Sequence, residues 1–385
     1  MPRSRALRRT LGATCAAGLP LAAAVAALSS TACGRVTTAV SSDTAYVGVA
    51  VGLQSPERYA NVFRGVQFAL DELNARRPPG APPLGLRRPS ADARSAIEVA
   101  TAFRDDPSVV GVVGHTETDA TIDAAAIYGD QADAGAHALV AVAPTAAGGL
   151  VTRMNDWVFR VCPVVARQGE VLAAYTADSL GIHRAAIVFR NDAAGKEFVR
   201  AFADAFHARG GTLVERDPFT EDVAEFDAYA QRISKRAVGA VVLYANAGDA
   251  GSAMRAIRAA GASPRFLGTN GPAASDSLAP DFAGLRYTAL YVPSRPATPA
   301  GQRFAHDFPA AAHTPADHWA ALGYDAAMLV GEAVQSVGRD RHAVRDWVAS
   351  VGRSRPAYDG ATGRIVFDSV GDPVAKAMVV RTVGE

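Results

Sequence analysis

Residues 108–150 read as a single strand–turn–helix–strand unit, and that unit restricts the folds open to the rest of the chain. An apolar run at 109–113 is interrupted by Gly111 and closed by Gly114. The turn His115-Thr116-Glu117-Thr118 leads into an alanine-rich helical pattern over 119–132. A second apolar run, 138–142, stops at Ala143-Pro144-Thr145. Two strands joined through a helix lie parallel in one sheet. Open sheets of such units bind ligands beyond the carboxyl ends of their strands. The turns at 114–118 and 144–149 lie at such ends and are rich in Thr, Gly and Ala, which expose backbone N–H groups and hydroxyls. They are expected to form one wall of a binding cleft.

The same alternation fills most of the chain. Strand patterns at 44–53 and 84–88 flank helical patterns at 59–76 and 91–104. Past 157–161 come strands at 185–190, 212–215, 237–244, 265–268 and 287–292, with helices at 166–180, 196–209, 223–234 and 249–260 between them. The class is therefore α/β with parallel sheets. A chain of 385 residues exceeds what one core usually supports, and the alternation appears once on each side of 157–163. Two similarly wound lobes are expected. The tail departs from this count: helices at 299–308, 315–337 and 342–351 precede strands at 363–367 and 377–382, read as a hairpin through the turn 368–373.

The first 33 residues read as an address. Arg3, Arg5, Arg8 and Arg9 precede an apolar stretch at 11–28, and Ser30-Thr31-Ala32-Cys33 supplies small residues before a cysteine. This resembles a bacterial lipobox, in which Cys33 is acylated and anchors the chain to the outer face of the cell membrane. A plain signal peptide cut after Ala32, or a retained anchor, is the alternative. Residues 34–43 would be a short tether. Cys15 leaves with the leader, so Cys162 alone remains in the folded body and no disulfide framework is expected. Without the leader, 35 basic residues face 38 acidic ones, which gives nucleic-acid binding no electrostatic support.

Enzyme signatures fail on inspection. Gly195-Lys196 suggests a phosphate loop, but Arg190 and Glu197 stand where that loop needs glycine and a hydroxyl. There is no Gly-x-Ser-x-Gly elbow and no His-Glu-x-x-His, and the eight scattered histidines have no metal-ligand spacing. No enzyme, cofactor or metal is expected.

Six stretches, in order, carry a resemblance: 46–51 (YVGVAV), 64–74 (RGVQFALDELN), 112–115 (VVGH), 158–163 (VFRVCP), 323–327 (GYDAA) and 358–368 (YDGATGRIVFD). Together they resemble the type I periplasmic-binding-protein family, in particular branched-chain amino-acid and amide-binding subunits of ABC importers. The resemblance implies two Rossmann-like lobes joined by three crossings and closing on a solute. It places lobe one at 44–160 with 293–355, and lobe two at 161–292 with 356–385. It further implies an extracytoplasmic solute-binding lipoprotein that delivers a small polar solute to an ABC permease. A ligand sensor signalling through a membrane partner is the alternative.

The resemblance also assigns site positions. Thr118 takes the place of a hydroxyl that meets the ligand carboxylate, or it caps the following helix. After the next strand, Thr145, Ala146 and Ala147 occupy a stretch where the family carries a small residue and then a second hydroxyl. Ala194 replaces an aromatic residue, and Asn270 replaces the acid that meets a ligand ammonium. With Asn191, Asp192 and Asn246, Asn270 makes a polar opposing jaw, suited to an amide, a polyol or a water-bridged ligand, or simply serves turn chemistry. Glu117 selects a cationic group or favours the helix dipole. Arg58 and Tyr59 lie where the ligand's side chain is lined. His115 is read as a turn residue, and Trp319 and Tyr324 as core or hinge packing.

Overall fold

The computed structural model describes residues 43–383, apart from 53–56, 58, 221–225, 272–281 and 375; the leader with Cys33, the tether up to residue 42 and Arg58 lie outside the described residues. The first sheet contains β1 (Ala45–Ala50), β2 (Leu84–Arg87), β3 (Val109–Gly114), β4 (Ala141–Ala143) and β5 (Val158–Arg160), all parallel, in the order β2-β1-β3-β4-β5. Every residue of β3, VVGVVG, is buried. A strand with helices on both faces has no solvent side to reward alternation, so it is apolar throughout. On one face lie α1 (Ala60–Ala75), α8 (Pro299–Ala312), α9 (His318–Val337) and α10 (Arg341–Ala349), sharing a core with Val47, Val110 and Val142. On the other lie α2 (Ala96–Asp105) and α3 (Thr118–Tyr128), packed on Val109, Val112 and Ala141.

Helices α1 and α9 approach closely because each places a glycine against the other's backbone. A Cβ on Gly65 would stand 2.0 Å from the Ala320 carbonyl oxygen, and one on Gly323 would stand 2.2 Å from that of Val62. The sequence interval 323–327 belongs to this contact.

The second sheet contains β6 (Arg184–Arg190), β7 (Thr212–Phe219), β8 (Ala240–Tyr244), β9 (Arg265–Gly268) and β10 (Arg286–Ala289), with β13 (Val379–Thr382) added at one edge, in the order β13-β10-β9-β8-β6-β7. Helices α4 (Val165–Ala174) and α5 (Ala193–His207) cover one face; α6 (Asp227–Ser234) and α7 (Ala247–Ala259) cover the other. Strand β7 runs longer than its sequence pattern and includes Pro218, which an edge strand tolerates because one side of its ladder is free.

Three sequence expectations need correction. Helix α2 starts at Ala96 rather than 91, because the Ser95 side chain caps it by accepting from the Glu98 N–H. The alanine-rich helix α3 ends at Tyr128, short of 132. The tail turns back at 368–373 as expected, with Phe367 and Pro373 in an antiparallel bridge, but its two strands do not pair with each other. β12 (Gly363–Ile365) pairs antiparallel with β11 (Tyr358–Gly360), a strand the pattern missed, while β13 pairs antiparallel with β10. Ala361, Ile365 and Phe367 are buried in the core of the first sheet, and this burial decides the pairing.

The chain therefore passes between the sheets after β5, after β10 and between β12 and β13. Buried charges tie two of these passages together. Arg160, fully buried at the end of β5, donates from Nε to Asp372 Oδ1 (2.6 Å) and from Nη1 to the Gly148 carbonyl (2.6 Å). Lys376 donates to the Val161 carbonyl (2.8 Å) and lies 3.8 Å from Asp325 of α9. Burial lowers the Lys376 pKa and raises that of Asp325, whose carboxylate also accepts from the Ala361 and Thr362 N–H groups.

Candidate functional site

The carboxyl ends of β3 and β4 in one sheet and of β6, β8 and β9 in the other turn toward a shared cleft of about 510 Å³. Its wall includes Tyr59, Glu117, Thr118, Thr145 and Ala147 from the first lobe. Asp192, Asn246 and Asn270 come from the second. These expected positions are thus brought together from segments far apart in the chain, from Tyr59 to Asn270. Two others are not: Ala146 is buried behind the wall, where its carbonyl accepts from Arg160 Nη1 (3.3 Å), and Asn191 is exposed outside the lining. The backbone N–H of Asn191 donates to the Phe219 carbonyl (2.8 Å).

Hydrogen bonding fixes what each first-lobe hydroxyl can offer. Thr118 is the first residue of α3; the cap position belongs to Glu117, which makes no side-chain cap bond. Thr118 Oγ1 accepts from the Gly148 N–H (3.1 Å), so its own proton stays available to a ligand acceptor. Thr145 Oγ1 donates to the Thr116 carbonyl (2.7 Å), which leaves it an acceptor toward the cleft. Thr116 in turn accepts from the Gly52 N–H (3.1 Å) and donates to Glu117 Oε2 (2.6 Å). One donor and one acceptor therefore stand on a wall stapled together by buried hydroxyls. The uncapped start of α3 adds backbone N–H groups suited to an anionic group.

The second-lobe polar residues are already employed. Asp192 caps α5, accepting from the Gly195 N–H and from Arg190 Nε, each at 2.6 Å. Asn246 caps α7, accepting from the Asp249 N–H (2.9 Å) and donating to the Asp249 carboxylate (2.7 Å). Asn270 reaches across the cleft: its Nδ2 lies 2.9 Å from Nε2 of His318 at the start of α9. An amide nitrogen only donates, so this pairing makes Nε2 the acceptor and puts the imidazole proton on Nδ1. That atom is buried without a hydrogen-bond partner among the described residues. Burial, helped by the nearby Lys376 charge, holds the His318 pKa down at about 3. Besides Asp192, which caps α5, the cleft carboxylates are Glu117, Asp119 and Asp123, on and just before α3.

Sequence reasoning missed Gln168 and the cleft role of Trp319. Gln168 Oε1 accepts from the Asn270 N–H (3.3 Å) and from Thr288 Oγ1 (2.8 Å), holding the 269–271 turn in place. Trp319 lines the cleft and meets Tyr59 edge-on, ring centroids 5.8 Å apart; it is not core packing alone. Neither carries a local motif, because each enters the site from a helix start. His115 is a buried turn residue, its Nε2 2.9 Å from the Tyr128 hydroxyl, and Tyr324 donates to Glu72 (2.8 Å).

Two wound sheets whose strand ends face one cleft define a two-lobed binding protein. The chain belongs to the periplasmic binding protein family, which matches it over residues 89–385. It is 26% identical to an amino acid binding protein of Pseudomonas aeruginosa over 254 residues, 63% of this chain and 66% of that one, so the chain spans just under two thirds of that relative's length. In fold it is similar to a leucine binding protein of Thermotoga maritima (TM-score 0.76, 22% identity, 88% of this chain and 95% of the other). It is similar too to an ABC transporter solute-binding protein of Rhodopseudomonas palustris in complex with benzoate (TM-score 0.76, 19% identity, 88% and 93%).

Proposed function

We propose that this chain is an extracytoplasmic solute-binding protein that closes on a small polar solute and delivers it to an ABC permease. The observation that carries the reading is the cleft itself, walled by strand ends of both sheets and offering a donor at Thr118 beside an acceptor at Thr145. A solute bearing a carboxylate or carbonyl together with an N–H group, such as an amino acid or an amide, matches that pair. The names of the relatives support this class: one is an amino acid binding protein, one a leucine binding protein, and one holds benzoate. Contacts are assigned to Thr118, Thr145, Ala147, Glu117 and Tyr59, facing Asp192, Asn246 and Asn270. The closing bodies are residues 44–160 with 293–355, and 161–292 with the tail 356–385, of which β13 joins the second sheet while Ile365 and Phe367 pack on the first. Cys33 carries a lipid that holds the protein at the outer face of the membrane.

Calorimetry of the purified protein against amino acids, amides, aromatic acids, sugars and polyamines tests the reading. Saturable binding of one class with a 1:1 ratio is expected; no saturable binding by any of them would sink it. The anchor is tested separately. Cys33→Ala should release the protein from membranes, and unchanged membrane association overturns the lipid assignment.

A further inference from the structure

Gln168 stands in the first turn of α4, is 5% exposed and lines the cleft. The orientation of its amide is fixed. The Asn270 backbone N–H can only donate, so the atom it meets at 3.3 Å is Oε1, and the Thr288 hydroxyl donates to the same oxygen at 2.8 Å. Turning the amide round would set its NH2 against the Asn270 N–H. Nε2 therefore carries the free side of the group. It donates to none of the described residues, and it is not among their enclosed atoms that lack a partner. A side chain this deep, held by two bonds at its oxygen, keeps its amide protons for the cleft.

Asn270 complements it. Its backbone N–H goes to Gln168 and its Nδ2 to His318, so Oδ1 is left to accept, and no described residue donates to it. A neutral donor and a neutral acceptor thus stand together on the second lobe. The second-lobe carboxylate of the cleft, Asp192, is already engaged by Arg190 Nε and the Gly195 N–H. An ammonium brought to Gln168 and Asn270 would lose its water without gaining a counter-charge, and a carboxylate would face Asn270 Oδ1. A carboxamide matches both groups: its oxygen accepts from Gln168 Nε2, and its NH2 donates to Asn270 Oδ1.

We propose that Gln168 is a specificity-determining residue which, with Asn270, receives an uncharged carboxamide of the solute, while another polar end of the solute lies at Thr118. This rests on the reading of the cleft as a solute site and narrows the solute class.

Calorimetry on the whole protein tests it with solutes that share a carboxylate and differ at the far end. Succinamate and glutamine end in a carboxamide, 4-aminobutyrate and ornithine in an ammonium, pentanoate and norvaline in a methyl. The carboxamides should bind about tenfold tighter than the methyl-ended compounds, with the ammonium-ended ones weakest. Gln168→Glu keeps the oxygen that accepts from Asn270 and Thr288 and replaces the free NH2 by a second oxygen. The preference should then reverse in favour of the ammonium ends as pH rises from about 6 to about 9 and the introduced carboxyl ionises. Thermal unfolding without ligand shows whether the variant is folded. If it is not, wild-type binding of levulinate and pentanoate decides: levulinate, with its added carbonyl oxygen, should bind the tighter, and equal affinity overturns the proposal. A loss in Gln168→Glu that is equal for all three end groups marks a residue that only holds the turn. That result, a preference unaltered at both pH values, or a wild type without a carboxamide preference overturns the assignment and leaves the solute-binding reading standing. Failure of every solute to bind, the amino acids and aromatic acids of the wider screen included, overturns both.

Discussion

Asn270 and His318 meet across the cleft at 2.9 Å, one from the turn after β9 and the other from the first turn of α9. The pair bridges the two lobes within a setting where an unpaired polar group costs about 1–3 kcal/mol. Asn270→Ala removes the bridge and leaves His318 Nε2 without its partner. The expected result is a larger radius of gyration in solution scattering of the ligand-free protein, restored by saturating ligand, with affinity reduced about tenfold. An unchanged radius of gyration would remove the bridge from any role in closure.

A second bridge stands at the other rim. The Gly149 N–H donates to Glu197 Oε2 at 2.8 Å, and a Cβ at position 149 would lie 2.7 Å from Glu197 Oε1. Glu197→Gln keeps an acceptor oxygen and should bind ligand as the wild type does. Glu197→Ala and Gly149→Ala should each favour the open arrangement. Ligand titrations followed by intrinsic tryptophan fluorescence would separate the three.

Thr118 has its oxygen committed to Gly148 and its proton free. Thr118→Val should weaken binding of a carboxylate-bearing solute tenfold or more, since hydrogen bonds to charged groups are worth about 1.5–3 kcal/mol. Thr118→Ser should recover most of that loss. A loss in the Ser variant with none in the Val variant would point instead to the methyl group, which packs near Gly148.

Acid sensitivity follows from two buried histidines. Burial lowers the pKa of His115 to about 4 and that of His318 to about 3, the latter aided by Lys376. The unfolded chain takes up these protons from about pH 6.5 downward while the folded protein does not. The stability they contribute is complete above that pH and is lost as pH falls toward the folded values, by about 1.4 kcal/mol per unit for each histidine. Burial raises the carboxyls of Asp317 and Asp325, and their protonation favours the folded state in the acid range. Comparing unfolding midpoints between pH 4 and 7 for wild type and the His115→Gln, His318→Gln double variant isolates the histidines; the variant should show the flatter acid limb.

The contact between α1 and α9 gives a stability prediction independent of ligand. Gly65→Ala and Gly323→Ala each push a methyl into backbone atoms at 2.0 and 2.2 Å, so the helices must separate. Each should cost about 2–3 kcal/mol, in the range for overpacking a closely fitted core. Chemical denaturation measures it directly.

The parts of this fold that were legible from residues alone are those with a local signature. The buried strands β3, β6 and β8 are centred on apolar runs, and their helices follow at regular intervals. The pairing of β11 with β12 was not legible, because a three-residue strand has no periodicity and the burial of Ile365 and Phe367 against a distant helix decides it. The site divided the same way. Thr118 and Thr145 follow strands and were found; Gln168 and Trp319 reach the cleft from helices whose placement depends on tertiary packing. Asp192 and Asn246 show a further limit: a cap and a cleft residue have the same sequence appearance, and here one side chain serves as both wall and cap.

The burial of Lys376 makes the chain a convenient reporter of its own opening. The sequence holds only three lysines, Lys196, Lys235 and Lys376, and the first two are exposed. An amine-directed reagent should therefore label the folded body at two side chains. The third, enclosed between Val161 and Asp325 where the chain passes from one sheet to the other, would acquire label only when those passages part. Mass spectrometry of one peptide could then count opening events in time.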